Sequence, residues 1–330
     1  MALTYSNSGV DIEKENKAIA ALARQLTYKR RGLGAPLTDV GHYAGLIDFG
    51  EYALALTTDG VGSKVLIANE MGRWNTVGID CIAMNVNDLL AMGIEPIAFV
   101  DYIAISEPDD EIMRQIGEGL AKGAEISRIT IVGGETATLP DVINGFDLAG
   151  TCLGMVKKDR IITGERIEVG DAIIGLPSTG IHSNGYSLVR RIIKDAGYSY
   201  RDPLPYNADV TIGDELLTPT KIYMEILDAV GRLDVHGLAH ITGSGLMKLH
   251  RITGYGFDIT DPLEPQPIFR FLQEKGNVED LEMYKTFNMG MGFVAVLPES
   301  EARKASKLLG GNIVGKIIDE GIYVRGLEIK

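Results

Sequence analysis

Cysteine is nearly missing from this chain: there are two in 330 residues, alongside one tryptophan and five histidines. So few thiols exclude a disulfide scaffold and a thiolate zinc centre. Cys81 and Cys152 sit inside the apolar stretches GIDCIAM and AGTCLGM and read as small buried hydrophobes. No apolar run approaches the ~18 residues a bilayer span needs. The start, MALTYSNSGVDIEKENK, has neither a basic leader nor an apolar core, so a cytoplasmic location and no membrane partner are expected. Cations are also short, with 32 Lys and Arg against 45 Asp and Glu, a net charge of -13, which argues against a nucleic-acid surface. A small phosphorylated ligand remains open to such a chain, provided that it concentrates its few cations locally or brings Mg2+.

What is present is enough for two domains, since 45% of the residues are hydrophobic. The first half alternates helix and strand: a helix near 10–28, a glycine-dotted loop over 31–50, strand EYALALTTD, a buried helix over 79–92, strand IAFVDYIAI, a helix over 109–127, and strands ITIVGG and DLAGTCLGMV. The charged segment KKDRIITGERIEVGD then separates a second unit that opens on strand AIIGLP, which puts the boundary near Arg166. Later elements are a helix over 186–196, the Pro-rich linker RDPLPYNAD, helices over 218–230 and 246–251, and strand YGFDI. A helix over 267–275, strand MGFVAVLP, a helix over 299–309 and strand NIVGKII complete the unit. The expected class is α+β in two domains, 1–165 and 166–330, the second an α/β unit.

Four segments combine glycine with charged or hydroxyl residues where an apolar strand ends. In TTDGVGSK, Gly60 and Gly62 free backbone amides beside Thr58, Asp59 offers a hard oxygen to Mg2+, and Lys64 can neutralise phosphate; the plain alternative is a tight turn with a solvated lysine. Along GIDCIAMNVNDLLAMG, at 100° per residue, Ile79, Ile82, Ala83, Val86, Leu89 and Leu90 form one face and Cys81, Met84, Asn85 and Asp88 the other. A buried amide and carboxylate point into a site or make a core hydrogen bond. In ITIVGGETATLP, Gly134 and Glu135 stand at the strand's C-terminal end, a usual ligand address in α/β sheets, so Asp59, Asp88 and Glu135 form a candidate Mg2+ set.

The fourth feature is a pair, STGIHSNGYSLVRR and HITGSGLMK, each placing hydroxyls, glycines and a histidine before a helix. There His182, Ser183 and Asn184, and Thr242, Gly243, Ser244 and Gly245, could hold the phosphate of a ribose phosphate or could simply cap helices. GGNIVGKI resembles a phosphate loop but has Ile317 where a hydroxyl should sit, and it precedes a strand-like segment. His42, His236 and His250 lack ligand spacing and read as structural.

Together SNSGVDIEKENK, TTDGVGSK, GIDCIAMNVNDLLAMGIEPIAFVDY, VGGETATLP, GIHSNGYSLVR, AHITGSG and MYKTFNMGMGFVAVLP resemble the ordered motifs of phosphoribosylformylglycinamidine cyclo-ligases over nearly the whole chain. The resemblance implies a homodimer whose N-terminal domains pair their sheets into a β-barrel, with ATP near the dimer interface under a mobile N-terminal segment. It also implies Mg2+ on Asp59, Asp88 and Glu135, phosphate on Lys64, and formylglycinamidine ribonucleotide along the HSNG and TGSG loops; K+ is a further candidate cofactor. The segment RRGLGAPLTDVGHYAGLIDFGEY is shorter and less glycine-rich than the bacterial counterpart of that lid.

The implied reaction makes aminoimidazole ribonucleotide, ADP and phosphate, with His240 first and His182 second as candidate bases. The rivals are a thiamine-phosphate kinase, opposed by HSNGYSLVR and TFNMGMG, and a non-catalytic nucleotide-binding partner protein. Selenophosphate synthesis would want a cysteine near the N-terminal loop, and none precedes Cys81.

Overall fold

The computed structural model describes residues 3–5, 8–9, 12–38 and 41–330; the expected helix start at Val10 lies outside them. Helix α1 (Ile12–Ala23) precedes strand β1 (Gly45–Phe49), which forms inside the segment expected to be all loop. Then come β2 (Tyr52–Gly60), α2 (Lys64–Met71), α3 (Val77–Leu90), β3 (Glu95–Ile105), α4 (Asp110–Ser127), β4 (Thr130–Thr138) and β5 (Phe146–Lys157). These strands make a mixed sheet ordered β1-β2-β5-β3-β4, with only β3 and β4 parallel.

Helix α3 lies on the inner face of that sheet and is buried all round, as its continuous apolar content requires. It crosses α4 closely enough that a Cβ on Gly78 would come within 2.3 Å of Leu120 N. The outer face has no helix over it, and Leu56, Val100, Tyr102, Val132 and Met155 are exposed there or on its edge, Val132 by 65%. No closed barrel forms within one chain.

Residues 158–171 lead to the second sheet, ordered β14-β13-β10-β12-β6-β11-β9. Its elements are β6 (Ala172–Pro177), α5 (Tyr186–Asp195), a β7–β8 hairpin (Pro203–Leu204, Asn207–Thr211), α6 (Ile212–Leu216), α7 (Glu225–Val230) and β9 (Gly237–His240). β10 (Gly256–Ile259), α8 (Pro267–Gly276), α9 (Asp280–Thr286), β11 (Met291–Leu297), α10 (Ala302–Leu309), β12 (Asn312–Ile318), β13 (Ile322–Val324) and β14 (Leu327–Glu328) follow. The phosphate-loop look-alike is strand β12, paired to β6 and β10.

The helix expected over 218–230 begins only at Glu225. Its first residues are held extended because the Thr220 amide donates to Asp80 Oδ1 at 2.7 Å and the Tyr223 amide to Asn87 Oδ1 at 3.1 Å. Amides committed to side chains of another domain cannot also close helical turns. The buried apolar side chains of both units form one continuous cluster, and no helix among the described residues is long and apolar enough to cross a membrane.

Candidate functional site

Helix α3 carries a polar stripe, Asp80, Met84, Asn87 and Asp88, at spacings that place these residues on one side of a helix. That side faces the second domain. Asp80 Oδ1 accepts from both the Thr220 amide and its hydroxyl, while Oδ2 lies 2.8 Å from Lys64 Nζ with both side chains fully buried. Asn184 Nδ2 reaches Met84 Sδ at 3.9 Å. Asn87 Nδ2 donates to Lys221 O and meets His240 Nε2 at 3.4 Å. Asp88 Oδ1 lies 2.9 Å from His240 Nδ1. A buried polar stripe survives only with its partners in place, and here they come from the other domain.

Several expectations are revised by these contacts. Lys64 is not open to a phosphate: its ammonium lies against Asp80 and donates to His182 O at 3.1 Å and Thr218 O at 2.8 Å, which uses its three protons. Burial pushes its pKa down and the Asp80 charge opposes this. His182 is buried, and its Nε2 accepts from the Thr179 amide at 3.2 Å, so its basic nitrogen is taken; burial holds the ring well below the usual histidine range. His240 is also fully buried, with Nδ1 on Asp88 and Nε2 on the Asn87 amide, which makes it an orienting partner for Asp88 rather than an open base. Ser183 is buried against Thr220 Oγ1 at 3.0 Å.

Glu135 does not join Asp59 and Asp88 within one chain. The ladder pairs Asp59 with Gly150, Gly150 with Asp101 and Asp101 with Gly134, so that row points to the inner face. The next row, Gly60, Ala149, Tyr102 and Glu135, points outward. Among the described residues no group of three or more His, Cys, Asp or Glu side chains converges as a metal site. Thr58 also faces outward: it pairs with Thr151 and its hydroxyl donates to Gly150 O at 3.0 Å.

Asp59 and Asp88 do come together. Asp59 ends β2, with Oδ1 accepting from the Gly60 amide at 2.8 Å and its carbonyl held by Asn85 Nδ2 at 3.2 Å. Burial first, and then the charge of Asp88, raise the Asp59 pKa; the Gly60 amide, His240 and Lys248 oppose them. Beyond Asp59, the turn through Gly60 and Gly62 (φ 68°) leads into α2, whose Ser63 makes no side-chain cap. A half-buried carboxylate whose proton affinity a second carboxylate raises is one half of a hard-oxygen pair for a divalent cation, and Mg2+ characteristically takes one or two carboxylates and completes its shell with water and phosphate.

Asp101, absent from the expected set, also faces inward, its carboxylate where a Cβ on Gly134 would come within 2.5 Å. Burial raises its pKa. Its inward position in the apolar alternation of IAFVDYIAI was the available signal. In the second domain, the Thr242–Gly245 turn packs on the HSNG loop, where a Cβ on Gly243 would lie 2.9 Å from Asn184 Oδ1. Ser244 adopts φ 73°.

This fold and cleft define a two-domain protein of one class: residues 41–156 match the N-terminal domain of AIR synthase related proteins and residues 168–326 their C-terminal domain. A relative named phosphoribosylformylglycinamidine cyclo-ligase, from Methanococcoides burtonii, is 70% identical over 327 residues, covering 99% of this chain and 98% of its own. Another of that name, from Thermococcus kodakarensis, is 49% identical over 339 residues, covering 99% of each. The chain belongs to the AIR synthase related family and, within it, to the phosphoribosylformylglycinamidine cyclo-ligases. Among solved structures, "AaThiL complexed with AMPPCP and TMP" shares the fold with a TM-score of 0.68 at 16% identity, covering 96% of this chain and 94% of that one.

Proposed function

We propose that the chain closes the imidazole ring of aminoimidazole ribonucleotide from formylglycinamidine ribonucleotide, using ATP, in purine biosynthesis. One observation carries the reading. Asp59 lies within charge-interaction range of Asp88 and of Lys248 from the second domain, and Asp88 Oδ1 is 2.9 Å from His240 Nδ1, in a chain like cyclo-ligases from end to end. A formamide oxygen leaves poorly, so it first takes the γ-phosphoryl group of ATP while the bond to ADP breaks. The amidine nitrogen then attacks the formyl carbon, the carbon–oxygen bond breaks, phosphate leaves with that oxygen, and the nitrogen gives up a proton.

Residues 1–165 are the nucleotide and dimerisation unit and residues 166–330 the substrate unit, in the cytoplasm. Asp59 and Asp88 would hold Mg2+, which would supply charge neutralisation of the phosphates; His240 orients Asp88, and the amides of Gly60 and Gly62 would cradle the nucleotide. The exposed apolar outer face of the first sheet supports a homodimer that closes a barrel there. Glu135 and Thr58, on that face, would reach the nucleotide across the seam. A kinase on thiamine phosphate is disfavoured, since that fold likeness comes at 16% identity against 70% for the cyclo-ligase.

The test is isotopic: heavy oxygen in the formyl group should appear in inorganic phosphate after one turnover. Unlabelled phosphate, with the oxygen lost to water, would refute phosphoryl transfer to the substrate.

A further inference from the structure

Most cations of this acidic chain that face a neighbour face a carboxylate. Lys64, Arg73, Arg114, Lys158, Arg166 and Lys221 each lie within ion-pair distance of one. A cavity of about 460 Å3 in the second domain, behind the turn at Ser244, breaks the rule. Its walls carry Lys248 and Arg251 from the turn after Ser244, Lys285 from the end of α9, Lys330 at the C-terminus, and Asn16 from α1. Among the described residues, neither Lys248 nor Lys285 has a hydrogen-bonded or ion-paired partner, and Arg251 only lies over the Tyr43 ring, 5.6 Å from its centroid. Only Lys330 is paired, to Glu328 at 2.8 Å. The Ser244 hydroxyl, on the same wall, makes no hydrogen bond within the described residues.

Three cations without an ion-pair partner among the described residues, brought together in a chain of net charge -13, repel one another, and no carboxylate lies within ion-pair distance to offset that cost. Burial and then Arg251 push the Lys248 pKa down, against the distant pull of Asp88, Asp59 and Glu15. An anion in the cavity would remove both penalties.

We propose that Ser244, Lys248, Arg251 and Lys285 form a clamp for the dianionic phosphate monoester of the ribonucleotide substrate. The proposal rests on the cyclo-ligase reading and adds to it the residues that select a phosphorylated over an unphosphorylated substrate. A monoester fits better than the nucleotide triphosphate. The triphosphate needs the metal-binding carboxylates and glycine turn of the first domain, whereas every cation of the clamp belongs to the second. Asn16 places the N-terminal helix as one wall, so the clamp is complete only with that helix in place.

The experiment uses the full chain and three variants, Lys248→Met, Lys285→Gln and Arg251→Gln, each first checked for an unchanged melting profile. Lys285→Gln lies at a partly exposed helix end and keeps the test usable if the more buried Lys248→Met misfolds. Steady-state assays should show the KM for the ribonucleotide rising about tenfold or more while that for ATP moves less than about twofold, as loss of a charge-assisted bond to one ligand requires. Calorimetry should show that ribose 5-phosphate binds the unmodified protein and ribose does not, with the ribose 5-phosphate heat lost in each variant. A rise in the ATP constant instead, or ribose 5-phosphate binding equally to protein and variants, overturns the clamp. If the unmodified protein hydrolyses no ATP with the ribonucleotide, the cyclo-ligase reading falls, and the ribose 5-phosphate titration still decides the clamp.

Discussion

Two lysines, one from each domain, show how a cation's surroundings decide its work. Lys64 follows the glycine turn that the sequence marks most plainly, yet its ammonium is fully buried and spent on Asp80, His182 O and Thr218 O. It ties the first domain to the second. Lys248 follows an unremarkable GLMK, and its ammonium is left without a partner beside Arg251 and a cavity. The paired lysine is a structural fastener and the unpaired one is poised for a ligand. The residue type is the same, and the count of acceptors within reach makes the difference.

The largest expected effect breaks the paired side. Lys64→Met leaves Asp80 charged and buried without its counter-ion, so unfolding in urea should show a loss of roughly 3–5 kcal/mol. Adding Asp80→Leu should recover only part of it, because the Thr220 amide and hydroxyl then lose their acceptor. A Lys64→Met protein as stable as the parent would show that the interdomain tie is ornamental. Next in size, Asp88→Asn should cut turnover roughly a hundredfold or more and weaken the Mg2+ dependence. The melting temperature should stay within a few degrees, since asparagine still accepts from His240 Nδ1 and the position is 20% exposed. Parent-level turnover in that variant would remove Asp88 from the metal.

A smaller contrast sharpens the comparison on two serines. Ser183 is bonded to Thr220 Oγ1 at 3.0 Å, so Ser183→Ala should cost about 0.5–1.5 kcal/mol of stability and leave the KM for the ribonucleotide alone. Ser244→Ala should do the reverse, raising that KM several-fold with an unchanged melting curve. If the two variants behave alike, the division into a bonded wall and an open wall is wrong.

Much of the order of strands and helices was legible because apolar runs such as EYALAL and ITIV end in glycine-bearing turns; Asp59 stood out at such a turn and Asp88 on the face of α3 away from its apolar stripe. What escaped was whatever depends on the other domain. Nothing local in the sequence singles out Asp80 and Asn87, since their partners at Thr220 and Tyr223 lie 140 and 136 residues away. The same contacts explain why the helix over 218–230 was overread: local propensity there loses to acceptors on α3. Glu135 was misjudged for a different reason. The strand does not end at Gly134 but runs on to Thr138, so Glu135 is an interior position whose face is set by parity across β3 and β4, which depends on a register shift between Phe99 and Val100. The clamp cations were invisible for a third reason, since Lys285 meets Lys248 and Arg251 only through the tertiary fold.

The smallest effect concerns the carboxylate between the two walls. Burial, and then the charge of Asp88, raise the Asp59 pKa above its ordinary value, so the folded protein binds that proton more tightly than the unfolded chain does. The stability tied to it is therefore fully present below the ordinary carboxylate pKa and is lost as the pH rises through the raised folded value. At neutral pH the folded state bears the cost of an ionised, partly buried Asp59. Asp59→Asn removes that cost and keeps an acceptor for the Gly60 amide, which Asp59 Oδ1 holds at 2.8 Å. The variant should melt a few degrees higher than the parent at neutral pH, and the gap should close as the pH falls below about 4. Mg2+ should raise the parent's melting temperature at neutral pH and leave the variant's unmoved, because the cation relieves the very repulsion that the substitution deletes. Thermal scans across pH, with and without Mg2+, measure all three. A variant less stable than the parent at neutral pH would mean that the ionised Asp59 is already satisfied by Lys248 and His240, and that the open wall reaches further across the cleft than its cavity suggests.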